Sequence, residues 1–401
     1  MEAMRCVAMK KQFPIISFEH ASFQYEGQSQ ESLKDVKLII KSGEFLVITG
    51  QSGCGKTTLT RCINNLIPRF FEGRLSGEVI VLGRSIKESD AGEAGKEIAS
   101  IFQDPRSQFF TTNSSSEVAF ACENYGIPHK EIVKRVNSAF QSLNMENLKD
   151  RDIFALSSGE RQKVAFLAAT TLNPQIYVLD EPSANLDIHT ILQVREILSA
   201  LKAAGHTIIV SEHRLYFLNG IADRIILMEF GELKKIWSAK EFEQLTTQQV
   251  KDLGLRSYTP TELSLPEKSP ERKDVPVIEV KELSVGYEKG EAVAHQLNFS
   301  VYRGEIVGIV GKNGCGKTTL LRLLAGELSL DRDDHSKAQG ILTSRSLTTG
   351  LLCQQAFSDT TITVEEELLK SCPCPDKWDR ERFTWEQEYD RLFTGFGFSK
   401  E

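Results

Sequence analysis

The stretch GEFLVITGQSGCGKTTL occupies residues 43–59 and returns as GEIVGIVGKNGCGKTTL at 304–320. In each copy an apolar run leads into G-x-x-x-x-G-K-T and then into helix-forming residues, the strand–loop–helix context in which that pattern cradles phosphate. Gly50, Gly53 and Gly55, and likewise Gly311, Gly314 and Gly316, let the backbone wrap an anion with its N–H groups turned inward. The cradles then include Ser52, Cys54 and Thr58 in the first copy and Asn313, Cys315 and Thr319 in the second. The following helix N-terminus adds partial positive charge. Lys56 and Lys317 neutralise the β- and γ-phosphates, and the Thr57 and Thr318 hydroxyls reach Mg²⁺. Two nucleotide sites are expected. The cradle works through backbone N–H groups, so the thiols of Cys54 and Cys315 are incidental to binding, although a helix N-terminus lowers a thiol pKa and would make them reactive.

Outward from these loops the repetition continues. SFQYEG at 22–27 is echoed by SVGYEKG at 284–290, at nearly the same offset from the loop, so two homologous domains run in tandem. The 401 residues are divided as 13–250 for a complete domain, 251–276 for a linker and 277–401 for an incomplete second domain. Within the linker, SYTPTELSLPEKSPERKDVP mixes Pro, Ser and charge without an apolar period. Helical stretches alternate with apolar runs such as QIYVLD at 175–180 and HTIIVS at 206–211, which reads as α/β with a mainly parallel sheet.

Composition narrows the function. Apolar residues at 40% and charged residues at 26% exclude a disordered or collagen-like chain. The formal charge of −7 supplies no global field for nucleic acid. No apolar run is long enough to span a bilayer, and MEAMRCVAMKKQFP has no apolar signal core. Eight scattered cysteines suit a reducing compartment, and Cys372-Pro-Cys374 reads as loop because no second ligand pair accompanies it.

In IYVLDEPSANLD at 176–187, Asp180 and Glu181 end a buried run. Charge at the carboxyl end of such a strand faces the crevice where α/β ligands bind, so one carboxylate is placed to hold Mg²⁺ and the next to polarise water. His213 in VSEHR and Gln103 in IFQDP stand similarly at strand ends, and the order of the motifs gives them weight.

Taken in order, Tyr25, the loop 50–57, Gln103, LSSGERQ at 156–162, IYVLDE at 176–181, SANLD at 183–187 and His213 resemble the ATP-binding-cassette (ABC) ATPases. The resemblance implies a P-loop fold with a parallel-sheet core, an antiparallel β subdomain and a helical subdomain, here in tandem. It makes Ser157, Ser158, Gly159 and Glu160 the signature, which departs from the commoner LSGGQ but keeps its first serine and its second glycine. It implies adenine stacking on Tyr25 and Tyr287, Mg²⁺ held with the help of Asp180, Gln103 and, in the second repeat, Gln354, and catalysis by Glu181, His213 and Gln103. FQDPRSQFF at 102–110, EVAFACENYGIP at 117–128 and VSEHRL at 210–215 look like the ATPase subunits of energy-coupling-factor importers for vitamins and metal ions. That likeness implies ATP and Mg²⁺ as ligands, membrane permease components and a substrate-binding membrane subunit as partners, contact through 103–150, and a peripheral place on the cytoplasmic face of the plasma membrane. Partnership with nucleic acid is not expected.

By the spacing of the first repeat, the counterparts of Gly159 and His213 fall past Glu401. Such cassettes, by resemblance, hydrolyse ATP in a head-to-tail sandwich, so neither site would be complete within one chain. The expectation is therefore activity through self-association of repeat 1, as a homodimer, or with another full cassette. Two rivals are a nucleotide-binding fragment without turnover and a soluble ATPase acting on ribosomes or nucleic acid. The tail at 380–401 resembles a segment of ABC-F type ATPases, whereas the short Pro-containing linker and the acidic balance weigh against that class.

Overall fold

The computed structural model describes residues 14–256, 275–285, 294–328, 341–343 and 349–352. The chain falls into two compact units. The first takes Met1–Val275 with Ser284–Leu297 and Tyr302–Lys317, and the second takes Pro276–Leu283, Asn298–Val301 and Thr318–Glu401.

Along the chain run β1 (Pro14–Tyr25), β2 (Leu33–Lys41), β3 (Phe45–Thr49), α1 (Lys56–Ile63), β4 (Gly73–Val81), β5 (Arg84–Ser85), α2 (Ala91–Glu97) and β6 (Ile98–Ile101). The helices α3 (Ser114–Asn124), α4 (His129–Ser142) and α5 (Ser158–Thr170) follow. Then come β7 (Ile176–Asp180), α6 (Ile188–Ala203), β8 (Thr207–Ser211), β9 (Arg224–Glu229), β10 (Glu232–Ser238), α7 (Ala239–Glu243) and α8 (Thr247–Asp252).

Two sheets organise these elements. An antiparallel sheet has the order β2-β1-β4-β5, and a six-stranded sheet has the order β10-β9-β3-β8-β7-β6. Within the larger sheet β9, β3, β8, β7 and β6 are mutually parallel, and β10 adds an antiparallel edge. The residues explain both. In β2, Leu33, Val36, Leu38 and Ile40 are buried while Asp35, Lys37, Ile39 and Lys41 are exposed, the alternation of a strand with one covered face. The strand β3 is buried throughout, as a parallel strand covered on both faces must be.

The side chains of the central strands divide strictly between two cores. Phe45, Val47, Tyr177, Leu179, Ile208 and Val210 pack with residues of α3 to α6. Leu46, Ile48, Ile176, Val178 and Ile209 pack with α1 and the antiparallel sheet. The sheet is thus the partition between a helical layer and a β layer, the arrangement expected from the sequence.

Further along the chain, β11 (Ile278–Val285), β12 (Ala294–Val301) and β13 (Ile341–Thr343) form a sheet of order β12-β11-β13, with β11 and β13 antiparallel. The helix α9 (Lys317–Leu324) follows the second phosphate loop as α1 follows the first. Among the described residues, no helix is long and apolar enough to cross a membrane.

Phe140 on α4 is 1% exposed and joins the helical layer to the core. Phe140→Ala is expected to destabilise the chain by about 3–5 kcal/mol, read as a lowered midpoint in denaturant unfolding.

Candidate nucleotide site

Four adjacent parallel strands end at one edge of the sheet, and each delivers one part of the site. β3 runs into the phosphate loop, β6 toward Gln103, β7 into Asp180 and Glu181, and β8 toward His213. The register makes these ends level, because Ser211 pairs with both Ile48 and Asp180.

The loop is shaped by glycines with positive φ at 50, 53 and 55. At Gly55, φ is 104°, and an added Cβ would run into the Ser32 carbonyl, so only glycine fits. No side chain caps α1, which leaves its first N–H groups to a ligand. Lys56 is 4% exposed, and its Nζ donates to the carbonyls of Gly50 at 3.0 Å and Gln51 at 2.9 Å. In the second loop Lys317 donates likewise to Gly311 at 2.8 Å and Lys312 at 2.7 Å.

Thr57 Oγ1 donates to Asp180 Oδ2 at 2.7 Å, while Asp180 Oδ1 is buried with no hydrogen-bond partner. A buried carboxylate oxygen left without a donor suits a divalent cation or its water, so the pair fits Mg²⁺. Glu181 has φ 47°, an uncommon conformation for a non-glycine residue, and its N–H donates to the Ser211 carbonyl at 2.8 Å. Its carboxylate is clamped from two sides: Gln103 Nε2 donates to Oε2 at 2.9 Å, and His213 Nε2 lies 3.0 Å from Oε1. The hydrogen bond from His213 holds the Glu181 carboxyl below its ordinary value against the opposing effect of burial, and the charges of His213, Lys56 and Arg256 add to the lowering.

The Tyr25 hydroxyl accepts from Arg61 Nη1 at 3.0 Å and lies 3.2 Å from Thr58 Oγ1, which ties its ring to the first turns of α1. Phe23 and Phe71 meet the ring edgewise. Cys54 departs from expectation: burial pushes its thiol up and outweighs the lowering by Lys56, so the helix N-terminus does not make it reactive.

Ser157 is the N-cap of α5. Its Oγ accepts from the Glu160 N–H at 3.3 Å, and Glu160 Oε2 accepts from the Ser157 N–H at 2.9 Å. Ser157 and Glu160 of the signature thus form a capping box. At Gly159 an added Cβ would crowd Thr190.

Within the first compact unit, the Asn313 N–H donates to Asp187 Oδ2 at 3.0 Å, and its side-chain amide donates to Ser158 Oγ at 3.1 Å and to the Asn185 carbonyl at 3.0 Å. Gly314, Cys315 and Gly316 complete that loop. Thr318 and Thr319 follow Lys317 in the first turn of α9, where Thr319 is buried. Tyr287 and Gln354 lie outside the described residues, as do Cys372, Cys374 and the tail at 380–401.

One residue was not singled out from the sequence. Glu212 is 2% exposed, and its carboxylate accepts the N–H groups of Ser183 at 3.2 Å, His213 at 2.7 Å and Arg214 at 2.9 Å. It ties the loop that carries His213 to the segment after Glu181. The available signal was an acid directly after TIIVS, a strand buried end to end.

The family described as ABC transporter matches residues 33–184 and 294–400. The chain belongs to the ABC transporter family. A protein of Treponema denticola named "Putative ABC transporter ATP-binding protein" is 41% identical over 318 residues, covering 78% of this chain and 65% of that protein. A Methanosarcina mazei protein of the same name is 33% identical over 352 residues, covering 76% of this chain and 59% of its own length. The chain thus spans less than two thirds of the length of the curated relatives it matches. The solved structure of cbiO1 from Clostridium perfringens, described as part of the ABC transporter complex cbiONQ, superposes with a TM-score of 0.53 at 28% identity, covering 59% of this chain and 92% of that one.

Glu212→Ala would leave three backbone N–H groups without their acceptor. It is expected to lower unfolding stability by about 2–3 kcal/mol, with Glu212→Gln losing less because one acceptor oxygen remains. Chemical denaturation of the three proteins measures this.

Proposed function

We propose that this chain binds and hydrolyses ATP and energises import of a small solute, a vitamin or a metal ion, through separate membrane components. The observation that carries the hydrolytic part is the convergence of Gln103 and His213 on the Glu181 carboxylate, beside the Thr57–Asp180 pair. The importer part is supported by the likeness to cbiO1, whose structure is described as part of the cbiONQ transporter complex.

In this reading the loop N–H groups and Lys56 bind the phosphates, and Tyr25 stacks the adenine. Thr57 and Asp180 would hold Mg²⁺, with Gln103 alongside, and the cation when bound would offset charge on the β- and γ-phosphates. Glu181 accepts a proton of the attacking water and orients it, so that the water oxygen bonds to the γ-phosphorus as the bond to the bridging oxygen breaks, giving ADP and phosphate. His213, hydrogen-bonded to Glu181, faces the γ-phosphoryl group that is transferred to water.

The Asn313 hydrogen bonds to Ser158, Asn185 and Asp187 favour pairing of the second phosphate loop with LSSGE inside one chain. Self-association of the first repeat would have to break them.

The test is phosphate release from ATP. Glu181→Gln is expected to cut turnover at least about 100-fold while nucleotide binding persists. Unchanged turnover would remove Glu181 from the reaction. Because the His213 hydrogen bond holds the Glu181 carboxyl below its ordinary 4.5, any acid limb owed to Glu181 lies below that pH. His213→Ala removes the chief lowering influence and is expected to move the limb upward in the residual pH–rate profile. Co-purification with multi-span membrane proteins supports the transport reading, and co-purification with ribosomes would replace it.

A further inference from the structure

A cavity of about 350 Å³ opens between the first half of the phosphate loop, at Gly50, Gln51 and Ser52, the side chain of His213, and residues 254–256. Its far wall comes from beyond the last helix of the first domain, in a stretch assigned from sequence to a linker.

Local chemistry fixes that wall. The helix α8 begins with a capping box between Thr246 and Gln249. It ends with a paired turn in which Gly254, at φ 66°, donates its N–H to the Lys251 carbonyl at 2.8 Å, and Leu255 donates to the Val250 carbonyl at 3.1 Å. This is the glycine-terminated helix stop in which a hydrophobic residue after the glycine packs back on the helix. Val250 is buried, and Leu255 packs on the helical-layer core. Gly254 comes so close to the phosphate loop that an added Cβ would lie 3.3 Å from Gln51 Nε2. With Gly254 and Leu255 pinned, Arg256 is delivered to the cavity rim.

We propose that Arg256 is a nucleotide-binding residue that contacts the terminal phosphate of a nucleoside triphosphate from the side opposite the phosphate loop, and so favours triphosphate over diphosphate. Its guanidinium shares the cavity with His213 and the loop residues 50–52, where the last phosphate of a nucleotide held by Lys56 would project. A planar guanidinium matches a phosphate by paired hydrogen bonds in a way a point charge does not. The proposal rests on the nucleotide reading above and adds to it a selectivity determinant in cis.

The experiment measures the affinity of the full chain and of Arg256→Ala and Arg256→Lys for the imido analogue of ATP, which is not turned over, and for ADP. In Arg256→Ala the analogue is expected to weaken about tenfold or more while ADP changes less than twofold, with Arg256→Lys between. Arg256 is exposed, so the unfolding midpoint should stay unchanged and serve as the folding control. Equal weakening of both ligands, no change in either, or tighter binding of the analogue would each overturn the assignment. Failure of the unmutated chain to bind either nucleotide would instead overturn the nucleotide reading itself, and the Arg256 proposal with it.

Discussion

The site depends on one constraint, the level alignment of four parallel strand ends. Ser211 stands opposite Ile48 on one side and Asp180 on the other, so the phosphate loop, the acidic pair and the histidine loop begin at the same height. A one-residue slip of any of these strands would turn its core residues to the wrong face. The two cores on either side of the sheet forbid this, because each takes only alternate side chains of every central strand. Packing far from the chemistry therefore sets the distance between Thr57 and Asp180, and between His213 and Glu181, through register.

At that edge three carboxylates sit close together, and each is stabilised differently. Asp180 shares one oxygen with Thr57 and keeps the other buried without a donor, which leaves a place for a cation. Glu181 is held by side-chain donors, Gln103 and His213, both of which can rotate away when a ligand enters. Glu212 is held by three backbone N–H groups and cannot leave without uncapping them. The adaptable carboxylate lies beside the expected reaction and the rigid one lies behind it, so Glu212 fixes the frame against which His213 and Glu181 adjust.

Much of this was legible in the sequence. Continuous apolar runs marked the parallel strands, and the carboxyl end of one located Asp180 and Glu181, because a charge there has nowhere to face but the crevice. His213 and Gln103 were found only by their place in the order of motifs. Glu212 escaped notice because an acid in a short polar run looks solvated, and only tertiary packing buries it. Arg256 lay in a stretch read as linker, since a two-residue helix stop near the chain's middle gives no hint that it lies against a loop two hundred residues earlier. At Cys54 the helix terminus is visible in sequence, but the burial that raises its thiol is not.

The two phosphate loops share every glycine yet differ at two positions, Gln51 against Lys312 and Ser52 against Asn313. A hydroxyl carries one donor on a short stem, whereas an amide carries two on a longer one. Asn313 uses both reach and number, giving its side-chain amide to Ser158 and to the Asn185 carbonyl while its backbone N–H goes to Asp187. That N–H, with the one from Thr190, holds Asp187 down to about 2, so the acceptor is an anion throughout the ordinary pH range and the contact is charge-assisted. Asp187 at the same time caps α6 through Thr190, and Ser158 opens α5 just after its cap. Replacing Asn313 by serine would remove the side-chain donors that bridge these two helix starts. The difference between the loops is therefore chemical: the Asn313 amide supplies donors to Ser158 and to the Asn185 carbonyl that a serine side chain could not supply together.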